Sequence, residues 1–293
     1  MVPDPIFRGD AISRGKEALA RAYRAIVAPA GRRQVAQLVS NGLPAFFEGP
    51  LGFLFGDLCA VDPAVCATIR KIEALRPALA SRDTLLTVAE PVLDSPDIRR
   101  TPREVAYLSS VTEEWGTFLH LLARGVRAKQ MLELGGCAGI SGCYLASAPT
   151  CERFVTVEGS RNLAHIAGEH LAAIAPAARV VNGLFEDVLD EVLDGFAGGI
   201  DLAFVDGHKN GENFLPMVRR IMTRLSPGGL LVLDDIRWSR GMGTLWNTIS
   251  ALPGFSHALD VGRFGICVRD AKSVRPRSES VAVYTGWLQS AHH

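Results

Sequence analysis

The sequence predicts an α/β fold: a doubly wound, seven-stranded sheet with a C-terminal antiparallel hairpin, preceded by a mostly helical N-terminal region. Three observations point there. From about residue 101 the chain alternates short apolar, β-branched runs with longer stretches of helical period. The first of these strands opens onto glycines and then a helix. The last two are joined by Gly262-Arg263, which reads as a hairpin turn. The composition is ordinary for a packed domain, with 293 residues, 48% of them hydrophobic and 21% charged.

The elements follow in order. Residues 1–100 look helical and irregular, with helical periodicity over Ala11–Ala28 and again over Ala64–Leu79, the latter ended by Ser81-Arg82-Asp83. Between them Gly42–Gly56 is rich in glycine, proline and phenylalanine. It reads as a hydrophobic connector or a substrate-lining loop. Thr101-Pro102-Arg103-Glu104 fits a capping box and starts a helix expected to run to Arg124. Within that helix Trp115 and His120 read as packing residues. Strands are then expected at Gln130–Leu134, Phe154–Val157, Ala178–Val181, Ile200–Val205 and Leu230–Leu233, with a helix after each. His257–Val261 and Phe264–Val268 form the hairpin. Phe204 reads as core, and Trp238 as pocket or core. The layout is therefore a cap or oligomerisation region over 1–100, a principal domain over 101–270 and a tail over 271–293, in which Val281–Leu288 could dock.

Several function classes are disfavoured. The 31 basic and 31 acidic side chains cancel, which weighs against bulk nucleic acid as a partner. The most apolar stretch, Gly42–Val61, carries Glu48, Asp57, prolines and glycines and reads as a buried, broken helical region rather than a membrane span. The six cysteines form no CxxC pair and no leader is evident; they read as reduced thiols of a cytoplasmic protein.

Candidate chemistry gathers at strand ends. The first strand ends Glu133-Leu134-Gly135-Gly136-Cys137-Ala138-Gly139-Ile140-Ser141. Glycines at a strand-to-helix turn let backbone amides approach a ligand. The spacing is not the GxGxxG of dinucleotide folds, and the acidic residue ahead of it suits a cationic ligand end better than a pyrophosphate. Glu158 ends the second strand, where a carboxylate can accept from both hydroxyls of a ribose. Glu186 and Asp187 follow the third strand, where an adenine would lie, although acidic residues also simply favour a helix start. The fourth strand ends Asp206-Gly207-His208-Lys209 and the fifth Asp234-Asp235. Carboxylates converging from adjacent strands would repel unless protonated, hydrogen-bonded or bridged by a cation, and Mg²⁺ or another hard divalent ion is a natural bridge.

This order of glycine loop, Glu158, Asp206 and Pro227-Gly228-Gly229 before a fifth strand resembles the class I S-adenosylmethionine-dependent methyltransferases, over roughly residues 103–270. The resemblance implies a Rossmann-like sheet with S-adenosylmethionine as cofactor. It places Gly135, Gly136, Gly139 and Ser141 around the methionine part, Glu158 on the ribose and Glu186 near the adenine. Glu133 would support the loop. Within that family, Asp206, Lys209 and Asp234 are similar to the metal-dependent O-methyltransferases of the catechol and caffeoyl-CoA type, which implies Asp206, Asp234 and Asp235 as metal ligands and Lys209 as base. Asp235 departs from that pattern, which has asparagine there. The His208 motif also resembles macrolide-sugar O-methyltransferases, so His208 competes with Lys209 for the base role. In metal-free relatives the fourth-strand carboxylate, here Asp206, only orders the cofactor.

The implied function is methyl transfer to a hydroxyl of a small molecule, phenolic or a sugar-type natural product. The first hundred residues are expected to cap the pocket and to offer a surface for a homodimer. The alternatives are a metal-independent methyltransferase acting on RNA or protein, and a cofactor-binding partner subunit without catalysis.

Overall fold

The computed structural model describes residues 28–56, 61–88, 98–207 and 213–281. Helical residues 28–40 (α1) lead into Glu48–Leu54 (α2), Pro63–Glu73 (α3) and Leu75–Ala80 (α4). A two-stranded antiparallel pair, Leu86–Val88 (β1) and Ile98–Arg100 (β2), precedes Pro102–Glu104 (α5) and Glu113–Gly125 (α6). The alternation then runs Gln130–Leu134 (β3), Ile140–Ala146 (α7), Arg153–Glu158 (β4), Arg161–Ile174 (α8), Arg179–Asn182 (β5) and Phe185–Asp194 (α9). It continues with Ile200–Val205 (β6), Phe214–Arg224 (α10), Leu225–Leu233 (β7), Arg240–Ile249 (α11), Phe255–Asp260 (β8), Gly265–Arg269 (β9) and Arg277–Ser280 (β10).

The main sheet has the order β10-β8-β9-β7-β6-β3-β4-β5. Strands β3 to β7 are parallel, β9 is antiparallel to both β7 and β8, and β10 joins β8 in parallel. Alternate strand residues go to opposite faces. Met131, Phe204 and Val232 pack with Leu51, Ile69, Phe118 and Tyr144 of the helices on one face. Leu132, Val205 and Leu233 pack with Leu189, Val218 and Ile249 on the other. The near-continuous apolar strands are the consequence of burial on both faces.

Three expectations change and one is met. The helix begun at Thr101 is not continuous. The capping box is present, but the chain widens into a π-helical turn at Val105–Ser109 and breaks where Ser110 is extended. Thr112 then caps a new helix, accepting from the Trp115 N–H. The helix expected over Ala64–Leu79 breaks at Ala74, because Pro77 has no N–H to give the Glu73 carbonyl four residues back. The Gly42–Gly56 stretch is helical and broken, as expected, and buries Phe47, Leu51, Leu54 and Phe55. The sheet has an eighth strand, β10, whose Arg-Ser-Glu-Ser sequence has no apolar alternation to announce it. It is held from the N-terminal side, where Gln34 donates to the Ser280 carbonyl and Arg277 donates to the Asn41 carbonyl. The expected helix over 11–27 and the docking segment beyond Val281 lie outside the described residues.

Candidate active site

Strand β3 lies between β6 and β4, so the chain winds one way through β4 and β5 and the other way through β6 and β7. Ligands of open α/β sheets bind at such a switch point, outside the carboxyl ends of the strands. The glycine loop sits there. Gly135 and Gly136 both donate to the Val157 carbonyl, which clips the loop to the end of β4. Gly135 has φ +94°, and a Cβ on it would lie 2.6 Å from the Asp206 carbonyl oxygen. Cβ atoms on Gly136 and Gly139 would lie 2.3 Å from Thr156 Oγ1 and 2.8 Å from Ala167 Cα. The first demand on these glycines is thus close approach between the loop and its own scaffold.

Glu158 ends β4 and is tied into the same loop. Its Oε2 accepts from the Cys137 N–H at 2.7 Å and its Oε1 from the Ser160 N–H at 2.7 Å. Burial raises its pKa, and the Ser160 and Cys137 amides oppose that. Each oxygen keeps a lone pair for a ribose hydroxyl. Cys137 itself is held at φ +46°, an uncommon conformation for a non-glycine residue.

Glu133 lies beneath the loop, fully buried. Burial pushes its carboxyl up to about 7; the Ser141 and Thr156 hydroxyls pull the other way without closing a hydrogen bond to it. Ser141 is buried in the first turn of α7. Glu186 is exposed in the first turn of α9, four residues past Asn182, which pairs with Glu158 in the sheet. Phe185 lies closer to the strand ends: a Cβ on Gly207 would meet its ring at 2.8 Å.

The acidic trio comes together as the strand order demands. Asp206 continues β6 by donating its N–H to the Leu134 carbonyl, and Asp234 continues β7 by donating to Val205. One carboxylate oxygen from each of Asp206, Asp234 and Asp235 lies within 4.8 Å of the others. Asp235 sits at φ +54°, a left-handed conformation that Asp and Asn tolerate better than most side chains.

A fourth member was not anticipated. Arg263, at the tip of the β8–β9 hairpin, forks onto Asp234: Nε to Oδ1 at 2.6 Å and Nη2 to Oδ2 at 2.6 Å. Its Nε is 3.8 Å from Asp235 Oδ1. Burial alone would lower the guanidinium pKa; the charges of Asp234, Asp235 and Asp206 outweigh it and raise the pKa above its ordinary value. The turn is fixed by bonds from the Val261 N–H to the Phe264 carbonyl and from Ile236 N–H to the Arg263 carbonyl. Below it Phe264 packs edge-on against Trp115 and Phe204. The available signal was pairing. Because Gly265 opposes Leu233, the residues just before β9 must lie beside those just after β7.

The expected divalent ion meets this arrangement directly. Both Asp234 oxygens are engaged by the guanidinium, and Oδ1 also accepts from the Asp235 N–H at 2.7 Å. Asp234 Oδ2 keeps one lone pair, but an ion using it would sit against the positive charge of the guanidinium while the fork is in place. His208 and Lys209, the candidate bases, lie outside the described residues. Trp238 is 43% exposed beside Asp235, whereas Phe204, Trp115 and His120 are buried. His120 bonds through Nδ1 to the Tyr144 carbonyl and Ser147, which accounts for it as a packing residue.

Parts of the chain are similar to known proteins. Residues 132–236 match the family model described as "Methyltransferase domain". A catechol O-methyltransferase of Niastella koreensis is 31% identical over 130 residues, 43% of this chain and 58% of that protein. A catechol O-methyltransferase of Mycobacterium tuberculosis is 34% identical over 140 residues, 46% of this chain and 60% of that one. The chain thus spans somewhat under two thirds of the length of these relatives. An O-methyltransferase structure from Bacillus cereus superimposes with a TM-score of 0.51 over 70% of this chain and 91% of that one, at 23% identity, a likeness of fold. The glycine loop, Glu158 and the three aspartates all fall inside the segment that matches the methyltransferase-domain model.

Proposed function

We propose that the chain transfers a methyl group from S-adenosylmethionine to a hydroxyl of a small molecule. The observation that carries this is the coupling of Glu158 to the glycine loop. Two backbone amides orient its carboxylate at the switch point and leave acceptor capacity for a ribose diol. Bound there, the cofactor would supply an already activated methyl sulfonium. The protein then has to align the acceptor oxygen in line with the leaving sulfur. The carbon–sulfur bond breaks as the carbon–oxygen bond forms, and the hydroxyl proton passes to a base. His208 and Lys209, the residues that follow Asp206-Gly207, are proposed for that base.

A small aromatic or polyhydroxylated acceptor is supported by the names of the relatives, catechol and caffeoyl-CoA O-methyltransferases. The divalent ion expected from the sequence is not carried into this reading, because of Arg263 at Asp234. No helix among the described residues is long and apolar enough to cross a membrane.

The test is calorimetry with S-adenosylhomocysteine, followed by a turnover screen with S-adenosylmethionine against catechols, phenolic acids and hydroxylated sugars. Wild type should bind the product, and Glu158→Ala should weaken that binding by about 10- to 100-fold, the scale of two hydrogen bonds to a charged acceptor. No binding by the wild type would remove the assignment. Binding without turnover on any acceptor would favour a partner subunit.

A further inference from the structure

Arg263 stands where a bridging divalent ion was expected. Asp234 is 1% exposed, and the Arg263 side chain is 15% exposed. Their two bonds form a parallel, charge-assisted fork, the strongest geometry available to a carboxylate and a guanidinium. With the Asp235 N–H, three donors converge on the two oxygens of Asp234. An octahedral ion needs an oxygen lone pair at about 2.0–2.1 Å and tolerates little distortion. Reaching Asp234 would place it against a fixed positive charge. The guanidinium is not adventitious in this position. It is presented by a tight turn hydrogen-bonded to Ile236, backed by the Phe264–Trp115–Phe204 ring cluster, and braced by the Arg237–Asp260 ion pair and by Asp260 Oδ1 accepting from the Gly262 N–H. Arg263 also lies beyond residue 236, where the family match ends.

We propose that Arg263 is the resident counter-cation of the Asp206–Asp234–Asp235 cluster, that it holds Asp234 in place of a divalent ion, and that methyl transfer by this chain proceeds without a metal. This rests on the methyltransferase reading above and specifies its chemistry. A guanidinium orders the carboxylates, but it cannot coordinate an acceptor hydroxyl and acidify it as a metal does. Removal of the acceptor's proton then falls to a protein base and to the acceptor's own acidity. Arg263 acts through Asp234 and is a positioning residue.

The experiment titrates Mn²⁺ into the full chain by electron paramagnetic resonance and calorimetry, with and without S-adenosylhomocysteine. Turnover is followed before and after EDTA. Wild type should bind no Mn²⁺ below roughly millimolar concentration, and EDTA should change turnover less than about twofold. Arg263→Met keeps much of the stem and removes the guanidinium from Asp234. It should acquire Mn²⁺ binding at least about tenfold tighter than wild type, and Mn²⁺ should raise its melting temperature but not that of the wild type. That acquired response is one that loss of a merely structural ion pair would not produce. Turnover abolished by EDTA and restored by Mg²⁺ would overturn the proposal. So would micromolar Mn²⁺ binding by wild type that disappears in Asp234→Asn. A folded Arg263→Met protein that gains no metal response overturns it as well. If that variant does not fold, the wild-type titration and EDTA arms decide alone. Product binding, measured on the same wild-type samples, separates a failure of the methyltransferase reading from a failure of the Arg263 assignment.

Discussion

Gly135 shows how a sequence motif can be right for a second reason. The glycine loop was legible from spacing, with the space reserved for a ligand. The structure adds that any Cβ at Gly135 collides with the Asp206–Gly207 backbone at a positive φ. Gly135→Ala should therefore destabilise the protein by about 2–4 kcal/mol, read from the urea midpoint, in addition to any effect on cofactor. A midpoint unchanged from wild type would count against this packing account. Glu133 gives a pH signature. Its carboxyl is raised from 4.5 to about 7, so between those values the folded chain holds a proton that the unfolded chain has released. Its contribution is full below pH 4.5, falls as pH rises to about 7 and is flat above. The total is about 3 kcal/mol at most. Glu133→Gln, which cannot ionise, should gain on wild type by up to about that amount between pH 4.5 and 8, measured by denaturation across the range. Asp206, Asp234, Asp235 and Glu158 could be located in the sequence because each lies at a strand's end or within two residues of it. Arg263 could not, because its partner is brought to it only by the β7–β9 pairing.

Elements were readable where burial imposes a period and unreadable where a local cap or a distant partner decides. Strands β3 and β6 lie where their apolar runs put them, since both of their faces are covered. The interruption between α5 and α6 follows from competing polar caps. Ser110 donates to the Val105 carbonyl and Thr112 restarts the helix, whereas the apolar pattern runs through. The widened turn sends Val105 and Ala106 inward, against Ala138 of the glycine loop, and leaves Tyr107 and Leu108 exposed. The capping box at its start therefore positions one wall of the loop. Thr101→Ala removes the acceptor for the Glu104 N–H and should cost about 1 kcal/mol in thermal or urea unfolding, with Thr101→Ser recovering most of it. Equal losses in both variants would refute the capping role.

At the scale of the molecule, helices cover both faces of one sheet, and the last described strand is fastened to the first described helix. Gln34 and Arg277 make that connection across more than two hundred residues of sequence. A chain ending at residue 275 should lose amide-exchange protection in α1 as well as along β8, while β3 and β6 keep theirs. Protection of α1 unchanged by the truncation would mean that its packing on the core suffices. The same strand has another bearing. β10 is the outermost strand at its end of the sheet among the described residues, and it offers arginine, serine and glutamate where β8 behind it offers Phe-Ser-His-Ala-Leu-Asp. Open strand edges recruit other chains, and charged side chains on a short edge discourage this. The four residues with the weakest pattern in the domain thus act as a gatekeeper against aggregation. The shortened chain should lose solubility at concentrations the full chain tolerates, well before it loses its fold.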